Sequence, residues 1–165
     1  MPTKPNIKLP PCDVEAEKSI LGSFMLDKNA IIKVVDLINP EDFYDYKHQK
    51  IYSSILELYE KNQPIDVLTV SNKLKNREQL TEVGGSAYLA ELVNFVPSAS
   101  HVNHYAQIIR EKKMLRELVS TSGDIVDKVF ASHEDPEFLL DQIEQKIFSI
   151  GQKVRNYLFL FIKDL

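Results

Sequence analysis

The sequence predicts an all-α protein: a globular head of five or six short helices followed by an antiparallel helical hairpin. Three observations carry this prediction. Apolar residues recur mostly at three- and four-residue steps, the spacing of one helix face. Only five of the 165 residues are glycine. No segment alternates apolar and polar residues as a half-buried strand would. Hydrophobic residues make up 44% of the chain and charged residues 27%, an ordinary globular balance. A chain of this length buries roughly 70% of its unfolded surface, so its core needs no staples.

The elements follow in order. Met1 to Leu9 is polar, basic and contains proline, so residues 1–12 read as a flexible arm. After Pro10-Pro11, Asp13 is placed to cap a first helix, with Glu15 and Glu17 as favourable first-turn acids. Its stripe is Val14, Leu21 and Met25, with Ile20 and Phe24 beside it. Asn29 is expected to cap a second short helix through Ile31, Ile32, Val35 and Leu37. Asn39-Pro40-Glu41-Asp42 is a helix restart, with a capping residue, proline at the first helical position and two acids. Lys47 to Glu60 is the next helix and buries Ile51, Ile55 and Leu58, with Tyr52 and Tyr59 alongside. Gln63-Pro64 breaks the chain and Asp66 caps Val67 to Leu74. The polar loop Lys75 to Gly84 leads through Gly84-Gly85 to a short helix, Ala87 to Val93, stopped before Pro97.

Beyond Pro97 the texture changes. Ser98 or Ser100 can cap one long periodic segment reaching Phe130, about 50 Å if unbroken. Gly123 lies inside it and costs about 1 kcal/mol relative to alanine, which leaves room for a bend or fray there. Asp135-Pro136-Glu137 restarts a helix that Gly151 ends. The head is thus residues 13–96 and the hairpin 97–151. Two helices cannot hide all their own apolar surface, so a second chain is expected to cover the excess. The expected oligomer interface is Val102, Tyr105, Ile109, Leu118 and Val126 on the first rod, with Phe138, Ile143 and Ile147 on the second.

The chain offers little chemistry. There is no Gly-x-x-x-x-Gly-Lys-Ser/Thr phosphate cradle, and Gly84-Gly85-Ser86 lacks the lysine such a loop needs. It reads as a helix-leading turn. His101 and His104 share a predicted helix face, but no further ligands stand at metal-site spacing. His48 and His133 have no evident partners, and Cys12 has no base to activate it. The acids at Glu41-Asp42 and at Glu134, Asp135 and Glu137 complement helix starts. Arg110, Lys112, Lys113 and Arg116 alternate with Glu111 and Glu117 as a solvated face. A net charge of −4 argues against a dedicated grip on nucleic acid, although a weak nucleic-acid-binding role is kept as an alternative. The longest apolar patch, Tyr157 to Ile162, is far short of the ~20 residues that span a bilayer, so no membrane partner is expected. The single Cys12 fits a reducing, cytoplasmic setting. No catalytic, cofactor or metal residue is assigned.

Several blocks nevertheless hold a distinctive order and spacing. Leu9-Pro10-Pro11-Cys12-Asp13-Val14-Glu15-Ala16-Glu17-Lys18-Ser19-Ile20-Leu21-Gly22 is followed by Pro40-Glu41-Asp42-Phe43-Tyr44 and His48-Gln49-Lys50-Ile51-Tyr52. Then come Pro64 to Val70, Val83 to Leu92, Val96 to Ser100 and Tyr105 to Lys112. Together they resemble the N-terminal domain of the DnaB-type bacterial replicative DNA helicases, from about Leu9 to Gly151.

The resemblance implies a parent that is a hexameric, ATP-dependent helicase moving 5′ to 3′ on the strand it encircles. Its N-terminal domains form a collar, a trimer of dimers joined through the helical hairpins, on which the C-terminal domain of primase docks. A helicase loader is a further candidate partner, and DNA passes through the full ring. ATP and Mg belong to a C-terminal motor that this sequence does not contain. Residues 152–165 resemble the start of the linker to that motor, and their apolar character suits a truncated chain. Glu15, Tyr88, Val119 and Ile125 match positions the family ties to primase contact or signalling, Val119 standing where isoleucine is expected. Their structural reading is that Glu15 complements a helix start, Tyr88 packs the head, and the other two fill the hairpin. A stand-alone regulator that binds helicase or primase is the competing reading.

Overall fold

The computed structural model describes residues 8–96 and 99–163, with side chains through Lys153. Among them there are six α-helices and no strand. They are α1 (Val14–Leu26), α2 (Tyr46–Glu60), α3 (Val67–Asn76), α4 (Gly85–Phe95), α5 (Val102–Ala131) and α6 (Pro136–Lys163). Short 3₁₀ turns lie at Ile31–Lys33, Pro40–Asp42 and Ala99–His101. The chain divides into two compact units. One is Asp13–Lys113, and the other joins the residues up to Cys12 with Met114 onward.

In the Asp13–Lys113 unit, acids cap the starts of α1, α2 and α3. Asp13 accepts from the Ala16 amide at 2.9 Å, and Asp45 from Lys47 at 2.9 Å. Asp66 accepts from Thr69 at 2.8 Å, while Thr69 Oγ1 accepts from the Asp66 amide at 3.0 Å. Each bond satisfies an amide that the first helical turn leaves without a partner. Gly84 and Gly85 adopt φ of 103° and 74° and lead into α4, a conformation in which a Cβ is strained.

The core is built around three rings. Tyr52 lies 5.7 Å from Phe24 and 5.1 Å from Phe43, centroid to centroid. All three are fully buried, and the Tyr52 hydroxyl donates to the Ile38 carbonyl at 3.2 Å. Burial pushes the Tyr52 phenol well above its usual range, with Asp42 and Asp36 adding to the effect. Gly22 lets α1 meet α4, because a Cβ there would collide with the Leu92 carbonyl oxygen. The Arg110 guanidinium donates to the Leu37 carbonyl and so fastens the start of α5 to the loop before α2.

Four expectations about elements need correction. The helix expected after Asn29 is only the turn Ile31–Lys33; it has no side-chain cap. The β-branched pairs Ile31-Ile32 and Val34-Val35 resist helix, while Ile31, Val34, Leu37 and Ile38 are buried as an irregular segment. The restart at Pro40 likewise ends after one turn, closed by the Asn39 amide donating to Asp42 Oδ2 at 2.8 Å. The compact unit does not stop at Val96 but takes in α5 through Lys113, because Val102, Ala106 and Ile109 are core residues. Finally, α6 continues past Gly151 to Lys163. Ser98, a candidate cap, lies outside the described residues.

In the second unit the Asp135 side chain accepts from the Glu137 amide at 2.9 Å and starts α6. Asp124 pairs with Lys146, Glu117 with Lys153 at 3.5 Å, and Lys128 donates to Gln142 at 3.3 Å. As the α5 position advances along these pairs, the α6 position retreats, which defines an antiparallel register. α5 runs unbroken through Gly123.

Candidate partner-binding site

Within the Asp13–Lys113 unit, a buried polar chain runs from α1 to α4. Glu17 is 2% exposed, although it is a carboxylate in the first turn of α1. Burying an unpaired carboxylate is prohibitively costly, so it must be fully hydrogen-bonded. Its Oε1 accepts from the Tyr44 amide at 2.5 Å and its Oε2 from the Asp45 amide at 3.2 Å. Oε2 also lies 2.7 Å from Nδ1 of His48, which is fully buried. The imidazole Nε2 is in turn 2.8 Å from the Tyr88 hydroxyl. This corrects the expectation that His48 lacks partners. It also gives Glu17 a tertiary role beyond complementing a helix start.

Tyr88 is therefore the outer end of a chain that ties α1, the loop before α2, α2 and α4 together. Its ring stacks at 8° to the His48 ring with centroids 6.1 Å apart. The ammonium groups of Lys18 and Lys47 each lie 5.7 Å from its centroid, within cation–π range. Lys18 also reaches Phe95 at 5.5 Å and pairs with Glu91 at 3.0 Å. Burial, followed by the carboxylates of Asp45, Glu91 and Glu17, pushes the Tyr88 phenol up to about 12. The hydroxyl is held protonated, the reverse of an activated nucleophile. The arrangement is a half-buried ring, bonded inward through its hydroxyl and framed by two lysines. Glu15, one turn before Lys18 on α1, is exposed.

The second unit presents apolar surface. Leu118, Val126, Phe138 and Ile147 are exposed at 38, 52, 55 and 48%, while Ile143 is half-buried. Leu115, Val129, Phe130, Leu140 and Phe148 are further exposed apolar side chains of this unit, beyond the expected interface residues. Val119 is exposed at 61% and Ile125 is half-buried. Two residues expected at the interface need correction: Val102 and Ile109 are core residues of the other unit, wholly covered within one chain, whereas Tyr105, in that unit too, is half-buried. The period along α5 does not change where its cover does.

His101, His104 and His133 are exposed and Cys12 is half-buried. Among the described residues no cluster of three or more His, Cys, Asp or Glu could hold a metal, and no helix is long and apolar enough to cross a membrane.

Six α-helices, a buried Glu17–His48–Tyr88 chain and exposed apolar side chains on α5 and α6 define the class among the described residues: an all-α domain. The comparisons specify it further. The family of DnaB-like helicase N terminal domains matches residues 9–111, and the chain belongs to that family. It is 37% identical over 158 residues to the replicative DNA helicase DnaB of Geobacillus stearothermophilus. It is also 37% identical over 160 residues to the replicative DNA helicase DnaC of Bacillus subtilis (strain 168). These matches take in 96% and 97% of the chain but only 35% of each relative, so the chain spans about a third of their length. The crystal structure of the N-terminal domain of DnaB helicase from Mycobacterium tuberculosis superposes with a TM-score of 0.80 at 37% identity, covering 86% of this chain and 99% of that one. A structure of a DnaB-like replicative helicase, described with its interactions with primase, gives a TM-score of 0.69 at 25% identity. It covers 84% of this chain and 31% of that one.

Proposed function

We propose that this chain is the collar domain of a replicative DNA helicase, self-associating through α5 and α6 and docking primase, with no catalysis of its own. ATP and Mg act in the motor domain of the parent helicase, whose 5′-to-3′ unwinding encircles DNA in the cytoplasm. A helicase loader is a further partner of the collar. The observation that carries the reading is the apolar surface that α5 and α6 leave uncovered within a single chain. A run of exposed side chains from Leu118 to Ile147 exceeds the scattered apolar residues normal on a monomer. The docking half draws support from the family and from the solved relative described with primase. Glu15 and Tyr88 in one unit, and Val119 and Ile125 in the other, are the proposed contacts.

Light scattering across a concentration series is expected to give a mass rising above 19.0 kDa. A strictly monomeric chain at high concentration would refute self-association. Pull-down of the primase C-terminal domain should succeed and ATP turnover should be absent; detectable turnover would overturn the assignment.

A further inference from the structure

We infer that His48 is a positioning residue for partner binding: by accepting the Tyr88 hydroxyl, it fixes the pose in which that ring meets primase. The inference rests on the proposed docking role of Tyr88. Its basis is the polarity of the buried chain. A carboxylate can only accept, and Glu17 already takes the Tyr44 and Asp45 amides. Nδ1 of His48 must therefore carry the proton that bonds Oε2. In the neutral ring Nε2 is then left as a lone pair, and the partner that fills it is the Tyr88 O–H at 2.8 Å. The imidazole is fully buried with Tyr88 in place, so turning that ring away breaks this bond and uncovers Nε2.

The consequence is a ring held at both ends, by its backbone on α4 and by its hydroxyl inside the unit. The hydroxyl is spent inward, so a partner meets the ring itself beside the Lys18 and Lys47 ammonium groups. Pre-setting an aromatic anchor in this way spares the ordering cost that a free rotamer adds to binding.

The test separates the two links of the chain. His48→Asn puts an amide nitrogen near the place of Nδ1, keeping a donor for Glu17, but its side chain is too short to reach Tyr88. Calorimetric titration with the isolated primase C-terminal domain should show affinity weakened roughly 3- to 10-fold, the scale of one hydrogen bond. Tyr88→Phe should lose about as much, and the double variant no more than either single one, since both break the same link. In ¹⁵N spectra the His48 ring should show the Nδ1–H tautomer, and Tyr88→Phe should move its Nε2 signal. Unchanged affinity in His48→Asn while Tyr88→Ala weakens binding would overturn the positioning role, as would additive losses. Wild-type affinity in Tyr88→Ala would instead sink the docking role of Tyr88 and this inference with it. Should His48→Asn fail to fold, Tyr88→Phe decides: undiminished affinity rejects the inference.

Discussion

The two units solve opposite problems. The Asp13–Lys113 unit has surface to spare for concealment: it buries three aromatic rings and even a glutamate–histidine pair. The unit containing most of α5 and all of α6 buries Thr121 and Ile150 but leaves Leu118, Val126, Phe138 and Ile147 largely uncovered. The first unit tolerates the buried Glu17–His48 pair because four surrounding elements supply its hydrogen bonds. The second has only two long helices, and two cylinders meeting along a line cannot enclose their own apolar stripes. Stability is therefore concentrated in one unit, and the other carries the exposed apolar surface through which we propose that association runs.

That division can be broken most forcefully in the core. Phe24→Ala removes a fully buried ring packed on Tyr52 and should cost about 3–5 kcal/mol in chemical denaturation. Truncating Phe138, which is 55% exposed, should cost no more than about 0.5 kcal/mol in the monomer. Similar losses at both sites would mean the contrast between the units is false. Next comes Gly22→Ala, which drives a methyl into the Leu92 carbonyl and should destabilise the compact unit by about 1–3 kcal/mol.

Association should respond in the opposite place. Val126→Asp combined with Ile147→Asp puts charge on the uncovered seam. Circular dichroism and thermal unfolding of the dilute monomer should hardly change. The self-association constant, followed by sedimentation equilibrium, should weaken by at least roughly tenfold. Unchanged association would place the contact elsewhere. Gly123→Ala sharpens the point, since nothing lies within 4 Å of a Cβ built there. It should stabilise α5 by about 1 kcal/mol in the monomer. A simultaneous loss of association would show that a second chain approaches the helix closely at that position.

Much of this was legible in the sequence, for local reasons. Asp13, Asp66 and Asp135 cap helices because capping depends on the two or three residues that follow, which the sequence displays directly. The Glu17–His48 pair was hidden because Glu17 already had a sufficient local explanation as a first-turn acid. Its position on the same stripe as Val14, Leu21 and Phe24 was the available signal: a charge on a buried period demands a partner. His48 stands likewise in step with Ile51, Tyr52 and Ile55. Val102 and Ile109 misled for the converse reason, since periodicity reports which face is covered and not what covers it. The run of α6 past Gly151 shows that one glycine weakens a helix without stopping it.

The smallest expected effect concerns charge on the compact unit's surface. Glu57 is hydrogen-bonded by Lys61 first and Lys73 next, with Arg77 alongside, and its carboxyl is lowered to about 2 from 4.5. A group whose folded pKa lies below its unfolded one contributes stability above the unfolded value and loses it as pH falls through the folded one. The contribution is therefore present above about pH 4.5 and disappears towards pH 2. Asp42 acts with the opposite sign: burial raises its carboxyl, so its contribution fades as pH rises. Comparing the chain with Glu57→Gln at each pH isolates the first from the second. The difference in unfolding midpoint should shrink from pH 5 to pH 2 and also shrink with added salt, because the cluster is partly exposed to solvent. A difference that persists at pH 2 would mean that Glu57 acts through packing and not through its charge, so that this surface too belongs to the buried architecture of the compact unit.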